Sequence, residues 1–245
     1  MRTQTFISSM VGVVAAAAVA GSVSAGFVDS FTTAFDTSTG YDLYGMGKFE
    51  YSSLTTSGSN ASLFNTRFAA HVSTNSGSRA SSAGSGSASI VVDSVSSSRA
   101  LLSYFDSSST FDPSGSTLDM SSTPGFSVNV GSWAGTGLTF TMGVCGAYDA
   151  SQSEHPLLGI MAVTASGNGT VTFNKASFVP TAGPIDWSAI GQVILQIERT
   201  TATTGDGSTT NFTIDNFTNT VPVPAPGAAA LIGLAGAFMS RRRRN

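Results

Sequence analysis

The sequence predicts an all-β protein, a single antiparallel β-sandwich whose two ends are sorting segments. Three observations predict it. Apolar residues recur at every second position in many short runs, the period of a strand with one buried face. Clusters of Gly, Ser, Asn and Asp separate those runs, and no long amphipathic helix or heptad is visible. Charged residues make up only 10% of the 245 positions, with small polar residues in their place, while 41% hydrophobic residues suffice for a core.

Residues 1–25 read as a secretory signal. Arg2 supplies the positive start, Met10 to Ala20 the apolar run, and Val23-Ser24-Ala25 the small residues that signal peptidase requires. Cleavage is expected after Ala25. The apolar run is too short to span a bilayer of about 30 Å.

The body, 26–219, carries the alternation. Ser62 to Thr74 is read with Phe64, Phe68, Ala70 and Val72 on the inner side, which puts His71, with Asn65 and Arg67, on the exposed side. Phe126, Val128 and Val130 form a second run. Leu138, Phe140, Met142 and Val144 form a third, and Val171 with Phe173 a shorter one. Val193, Leu195 and Ile197 follow, and Phe212 with Ile214 closes the body. Turns are expected at Asp112 to Gly115, Ser166 to Gly169 and Gly205 to Gly207. Thr74 to Ser89, rich in Ser, Gly and Ala, reads as a loop or insertion.

Residues 220–245 form the second sorting segment. Pro222, Pro224 and Pro226 enforce an extended stretch. Residues 227–240 are an uncharged apolar segment, about 21 Å long as a helix, and Arg241, Arg242, Arg243 and Arg244 follow. By the positive-inside rule those arginines stay in the cytoplasm while the body is outside. This order of proline motif, short apolar helix and arginine cluster resembles the PEP-CTERM sorting signal, with Pro-Val-Pro or Pro-Ala-Pro in place of Pro-Glu-Pro. The resemblance implies an exosortase-type transpeptidase as partner, besides the secretion machinery and signal peptidase, and a transient stay in the inner membrane.

Within the body, Phe27-Val28-Asp29-Ser30-Phe31 opens the chain, Pro184-Ile185-Asp186-Trp187-Ser188-Ala189-Ile190 leads into a late strand, and Phe212-Thr213-Ile214-Asp215-Asn216-Phe217 closes it. These segments resemble the galactose-binding-like jelly rolls of carbohydrate-binding modules. The resemblance implies a jelly-roll sandwich, with Asp29 and Asp215 placed as parts of a structural calcium shell that carbonyls of Thr37 to Tyr41 would complete. The other reading makes Asp29 a solvated turn residue and Asp215 a local partner of Lys or Arg.

Charge and motifs narrow the function. Without the two sorting segments the body holds six basic against fourteen acidic residues, so the basic stripe that nucleic-acid binding needs is missing. Two histidines 84 positions apart make no metal pair, no Gly-x-Ser-x-Gly elbow occurs, and Gly45-x-Gly47-Lys48 fits a turn better than a phosphate loop. Three glutamates and eleven aspartates contain no local glycosidase motif. Cys145 reads as a small strand residue, and sequons at Asn60, Asn168, Asn211 and Asn216 occur at a frequency that a Ser/Thr-rich chain reaches by chance. The expectation is therefore a non-enzymatic protein of the cell surface or extracellular matrix. The alternative is an extracellular carbohydrate-binding protein with polysaccharide as partner. An exposed aromatic platform, with Tyr41, Tyr44, Trp133 and Tyr148 as candidates, separates the two.

Overall fold

The computed structural model describes residues 26–42, 47–57, 61–72, 79–93, 98–107, 115–199 and 209–220. Ala25 and the rest of the signal segment lie outside them. So do Tyr44, Pro222, Pro224, Pro226, Arg241, Arg242, Arg243 and Arg244. Among the described residues the strands are β1 (Phe27–Asp29), β2 (Phe35–Asp36), β3 (Tyr41–Asp42), β4 (Gly47–Ser53), β5 (Thr66–Val72), β6 (Arg79–Ser82), β7 (Ser87–Asp93) and β8 (Arg99–Phe105). They continue as β9 (Gly125–Ala134), β10 (Leu138–Cys145), β11 (Leu157–Ala165), β12 (Gly169–Asn174), β13 (Val179–Pro180), β14 (Gln192–Arg199) and β15 (Thr209–Thr218). Two short 3-10 turns, Thr37–Thr39 and Lys175–Ser177, are the helical elements among these residues.

The strands form two antiparallel sheets packed as a jelly-roll-like sandwich. One sheet runs β12-β9-β15-β7-β6-β2, with β1 also on β15; the other runs β13-β11-β10-β14-β8-β5-β4-β3. The expected alternation holds where one face is buried. Phe126, Val128 and Val130 of β9, Val171 and Phe173 of β12, and Phe212 and Ile214 of β15 point inward from the first sheet. Leu138, Phe140, Met142 and Val144 of β10 and Val193, Leu195 and Ile197 of β14 meet them from the second. Each large side chain so buried contributes about 1.5–3 kcal/mol. Asn216 has φ 49°, a left-handed value that Asn tolerates better than most residues. It lies where the β15–β9 register shifts, and the extra residue turns Phe217 inward, fully buried.

Two expectations need correction. In β5 the phase is reversed: Arg67, Ala69 and His71 point inward, and Phe68 and Val72 are the half-exposed positions. Phe64 is buried, but residues 63–65 form a bend rather than a strand, so its parity does not carry into β5. The stretch from Thr74 to Ser89 is no simple loop, since β6 and β7 pair as a hairpin with Ala80 opposite Ile90. Its turn uses Gly84 and Gly86 at φ 77° and 94°. Gly47-Lys48 opens strand β4, which pairs with β3, and the connection between them, 43–46, lies outside the described residues.

Arg67 is tolerated inside because Asp29 meets it. Arg67 Nη1 lies 2.6 Å from Asp29 Oδ2, and both side chains are almost wholly buried. Tyr104 donates to the same oxygen at 3.1 Å, while Asp29 Oδ1 accepts the Phe31 N–H at 2.7 Å. Arg67 Nη2 donates to Thr33 O at 3.0 Å, and the guanidinium lies 4.1 Å from the centre of the Phe35 ring. Burial and the adjacent Asp29 charge hold the Tyr104 hydroxyl well above its ordinary pKa. This network ties β1 and the turn after it to β5 and β8 of the opposite sheet.

Candidate functional site

The outer face of the larger sheet is unusually apolar at one end. Strand pairing sets Tyr41, Phe49, Ala70, Leu101 and Gln196 in one row across β3, β4, β5, β8 and β14. The next row holds Tyr51, Phe68, Ser103 and Ile194. Four of these residues form a connected aromatic strip. Ring centres lie 5.7 Å apart for Tyr41–Phe49, 5.4 Å for Phe49–Phe68, 5.0 Å for Tyr51–Phe68 and 5.7 Å for Phe49–Tyr51. The rings are inclined by 35° to 85°, so the strip is corrugated. Tyr41 is 68% exposed, and partial burial raises the Tyr51 hydroxyl pKa.

The strip borders two hollows that share Tyr51. A cleft of about 370 Å³ has Phe68, Phe105 and Tyr148 in its walls, and Ser103, Gln192, Glu154 and His155 supply its polar groups. The second hollow, about 400 Å³, lies between Thr39, Gly40, Tyr41, Glu50 and Tyr51. From β3 to β14 the face crosses four inter-strand steps, about 19 Å at the usual sheet spacing.

The far wall of the cleft is the connection between β10 and β11. Gly146 N–H donates to Pro156 O at 2.9 Å, and Asp149 N–H to Glu154 O at 2.8 Å. Asp149 Oδ1 in turn accepts from the backbone and hydroxyl of Ser151. The loop packs closely on the start of β14 because position 191 is glycine: a Cβ there would lie 2.3 Å from Gly146 O and 2.9 Å from His155 Nδ1. Tyr148 and His155 stack edge to face at 5.4 Å. His155 Nδ1 is 2.9 Å from Gly146 O; a carbonyl only accepts, so Nδ1 carries the hydrogen and Nε2 is left as an acceptor. That Nε2 is buried and has no protein partner. At the cleft floor Gln192 Nε2 donates to Ser103 Oγ at 2.8 Å. Cys145 lies beneath the loop, its thiol pushed up to about 12 by burial first and by Glu154 second.

Of the aromatic candidates, Tyr41 is an end member of the strip, and Tyr148 lines the cleft that the strip borders. Trp133 belongs to the other sheet, half-buried at 5.4 Å from Phe212. Trp187 packs on Phe178 and under Lys175, away from the cleft. Phe49, Tyr51, Phe68 and Phe105 were not expected here; they need the reversed phase of β5 and strands β4 and β8. Asp29 and Asp215 do not share a site. Asp29 faces the interior on Arg67, whereas Asp215 follows the inward Ile214 and is half-exposed on the opposite face. Among the described residues no three His, Cys, Asp or Glu side chains converge as a metal site, and no helix is long and apolar enough to cross a membrane.

No family model matches the sequence, and no curated protein matches it. Solved structures of similar architecture include a family 11 carbohydrate-binding module of a cellulosomal cellulase from Clostridium thermocellum, at 10% identity and TM-score 0.39, covering 79% of this chain and 92% of that one. A family 30 carbohydrate-binding module gives 13% identity and TM-score 0.38, covering 82% and 91%. An agarase, AgWH50C, gives 10% identity and TM-score 0.33, with 73% of this chain covering 23% of that one.

Proposed function

We propose that the protein is an exported, non-enzymatic β-sandwich that binds extended polysaccharide chains at the cell surface. The observation that carries this reading is the half-exposed aromatic strip Tyr41–Phe49–Phe68–Tyr51 running into a cleft with polar groups at its base. Pyranose rings offer apolar faces ringed by hydroxyls. Aromatic side chains suit the faces, and Gln192, Ser103 and Glu154 suit the hydroxyls. The corrugation favours a single chain lying in the cleft over a flat crystalline surface. Length favours an oligosaccharide over a single sugar. Among the described residues lining the cleft one carboxylate, Glu154, occurs, where glycosidases use two.

Sorting belongs to the same proposal. Signal peptidase cleaves after Ala25, and an exosortase-type enzyme processes the tail that begins near Pro222. Supporting this, Gly26 N–H donates to Asn219 Oδ1 at 2.9 Å and Asn219 N–H to Gly26 O at 3.1 Å, so neither segment has to cross the sandwich.

The test is retention of the protein on a panel of immobilised polysaccharides, with Tyr51→Ala and Phe68→Ala as variants. Truncating a central aromatic contact typically costs about 2 kcal/mol or more, roughly 30-fold in affinity. No retention on any polysaccharide, or retention unchanged in both variants, sinks the binding reading. Intact mass of protein recovered from the native surface tests the sorting part; a chain still carrying Arg241–Arg244 counts against it.

A further inference from the structure

Sheets end in edges, and proteins guard them with very short strands, charge, proline or bulges. In the larger sheet one edge is the two-residue strand β3. The other is β13 on β11, and β13 pairs only with Gly159 and Ile160. Beyond Ile160, the residues Met161-Ala162-Val163-Thr164-Ala165 have β10 on one side and, among the described residues, no strand on the other. This open window contains no charge, no proline and no bulge. Ala162 and Thr164 are exposed, and the three residues between and beside them are half-buried.

The backbone direction in the window follows from the pairing. Thr181 N–H donates to Leu158 O at 3.0 Å, and Ile160 faces Val179 in the same register. Backbone groups of alternate residues point to the same side of a strand. The N–H and C=O of Ala162 and Thr164 therefore point out of the open edge.

We propose that this edge pairs with the same edge of a second copy, around a two-fold axis at Val163. An antiparallel pair centred there sets Ala162 opposite Thr164 of the other copy, and Thr164 opposite its Ala162. Those are the residues whose backbone groups point outward, so four N–H···O=C bonds form and no open group in the window is left over. Met161 meets Ala165 on the inner face, and Val163 meets Val163 on the axis. The register is imposed from both sides: β13 ends pairing at Ile160, the chain turns away at Ser166, and Val163 is midway. This is an isologous interface, the same patch on both copies. The axis is normal to the sheet, so the larger sheet continues from one copy into the next.

Cross-linking of the full-length chain reads this geometry directly. Val163 faces itself in a non-hydrogen-bonded pair, with Cα atoms about 4.5 Å apart, within disulfide reach. Val163→Cys should give a covalent dimer on oxidation, with a yield that rises with protein concentration. Ser89→Cys, exposed on the other sheet, reports random collision or association through the tail, and should cross-link at least tenfold more slowly. In the Val163→Cys background, Ala162→Pro removes two of the four bonds, and Thr164→Lys sets a charge into the edge. Each should reduce the yield about tenfold or more. A Val163→Cys chain that stays monomeric, that reacts no faster than Ser89→Cys, or that dimerises equally with both second substitutions overturns the proposal.

Discussion

Asp29→Asn is the sharpest probe of the interior. The substitution is nearly isosteric and leaves a guanidinium that is fully buried and cannot shed its proton. Removing one partner of a buried ion pair costs about 3–5 kcal/mol. The lower half of that range applies, because Arg67 keeps its bond to Thr33 O and its place over the Phe35 ring. At roughly 2–4 °C per kcal/mol for a domain of this size, about 3 kcal/mol lowers the melting temperature by roughly 6–12 °C. Adding Arg67→Met to Asp29→Asn should recover part of the loss, since it removes the unpaired buried cation while the new asparagine can still pair with the Phe31 N–H and the Tyr104 hydroxyl. Circular dichroism melts of the three proteins decide the matter. A shift below about 2 °C for Asp29→Asn would mean that water reaches the pair. A double variant no better than the single would mean that Arg67 and Asp29 act through separate contacts.

Two further outcomes follow from buried groups. The Thr37 hydroxyl donates to Ala80 O, so it accepts from His71 Nδ1 at 2.9 Å. Burial, with Lys48 adding to it and Asp36 and Asp93 opposing, lowers the His71 pKa. The unfolded chain therefore binds this proton more tightly than the folded one. The stability is whole above about pH 6.5 and declines as pH falls from there toward the lowered folded value. Melting temperatures of wild type and His71→Asn should converge on acidification over that window, and a constant difference refutes the assignment. Cys145, with its thiol pushed up to about 12, should resist thiol reagents near pH 8 until the protein is unfolded; equal rates in the native and unfolded states contradict its burial beneath the 146–156 loop.

Much of the sandwich was legible because β9, β10, β12, β14 and β15 bury one face each, and burial of one face writes a period of two into the sequence. The candidate site was not legible for the same physical reason. Arg99-Ala-Leu-Leu-Ser-Tyr-Phe105 bears large apolar groups on both faces, so the alternation that marks a strand is lost there, while Gly47-Lys-Phe-Glu-Tyr51 alternates but carries its aromatics Phe49 and Tyr51 on the outer face, with Lys48 and Glu50 on the other. In β5 the buried Arg67 and outward Phe68 invert the usual rule, and only the distant Asp29 explains why. The Ser-rich hairpin of β6 and β7 was hidden by composition, since strand preference depends on the neighbours each side chain meets. Loss of alternation in an otherwise β chain was itself a sign that an outer face has work other than solvation.

The tie between Gly26 and Asn219 also fixes how the body would bear load. A surface tether attached beyond Thr220 pulls on β15, which is held between β7 and β9 and by β1 at its end. Tension along that strand stretches its two ladders in shear, so many hydrogen bonds resist together instead of parting one at a time. The tyrosine strip lies on the opposite sheet, and force from a bound chain would reach β15 only through the packed interior and the Asp29–Arg67 link. Under the proposed function, a body joined to an anchor in this way would hold a strained polymer, and its first point of mechanical failure would be the buried ion pair or the core around it before the anchored strand.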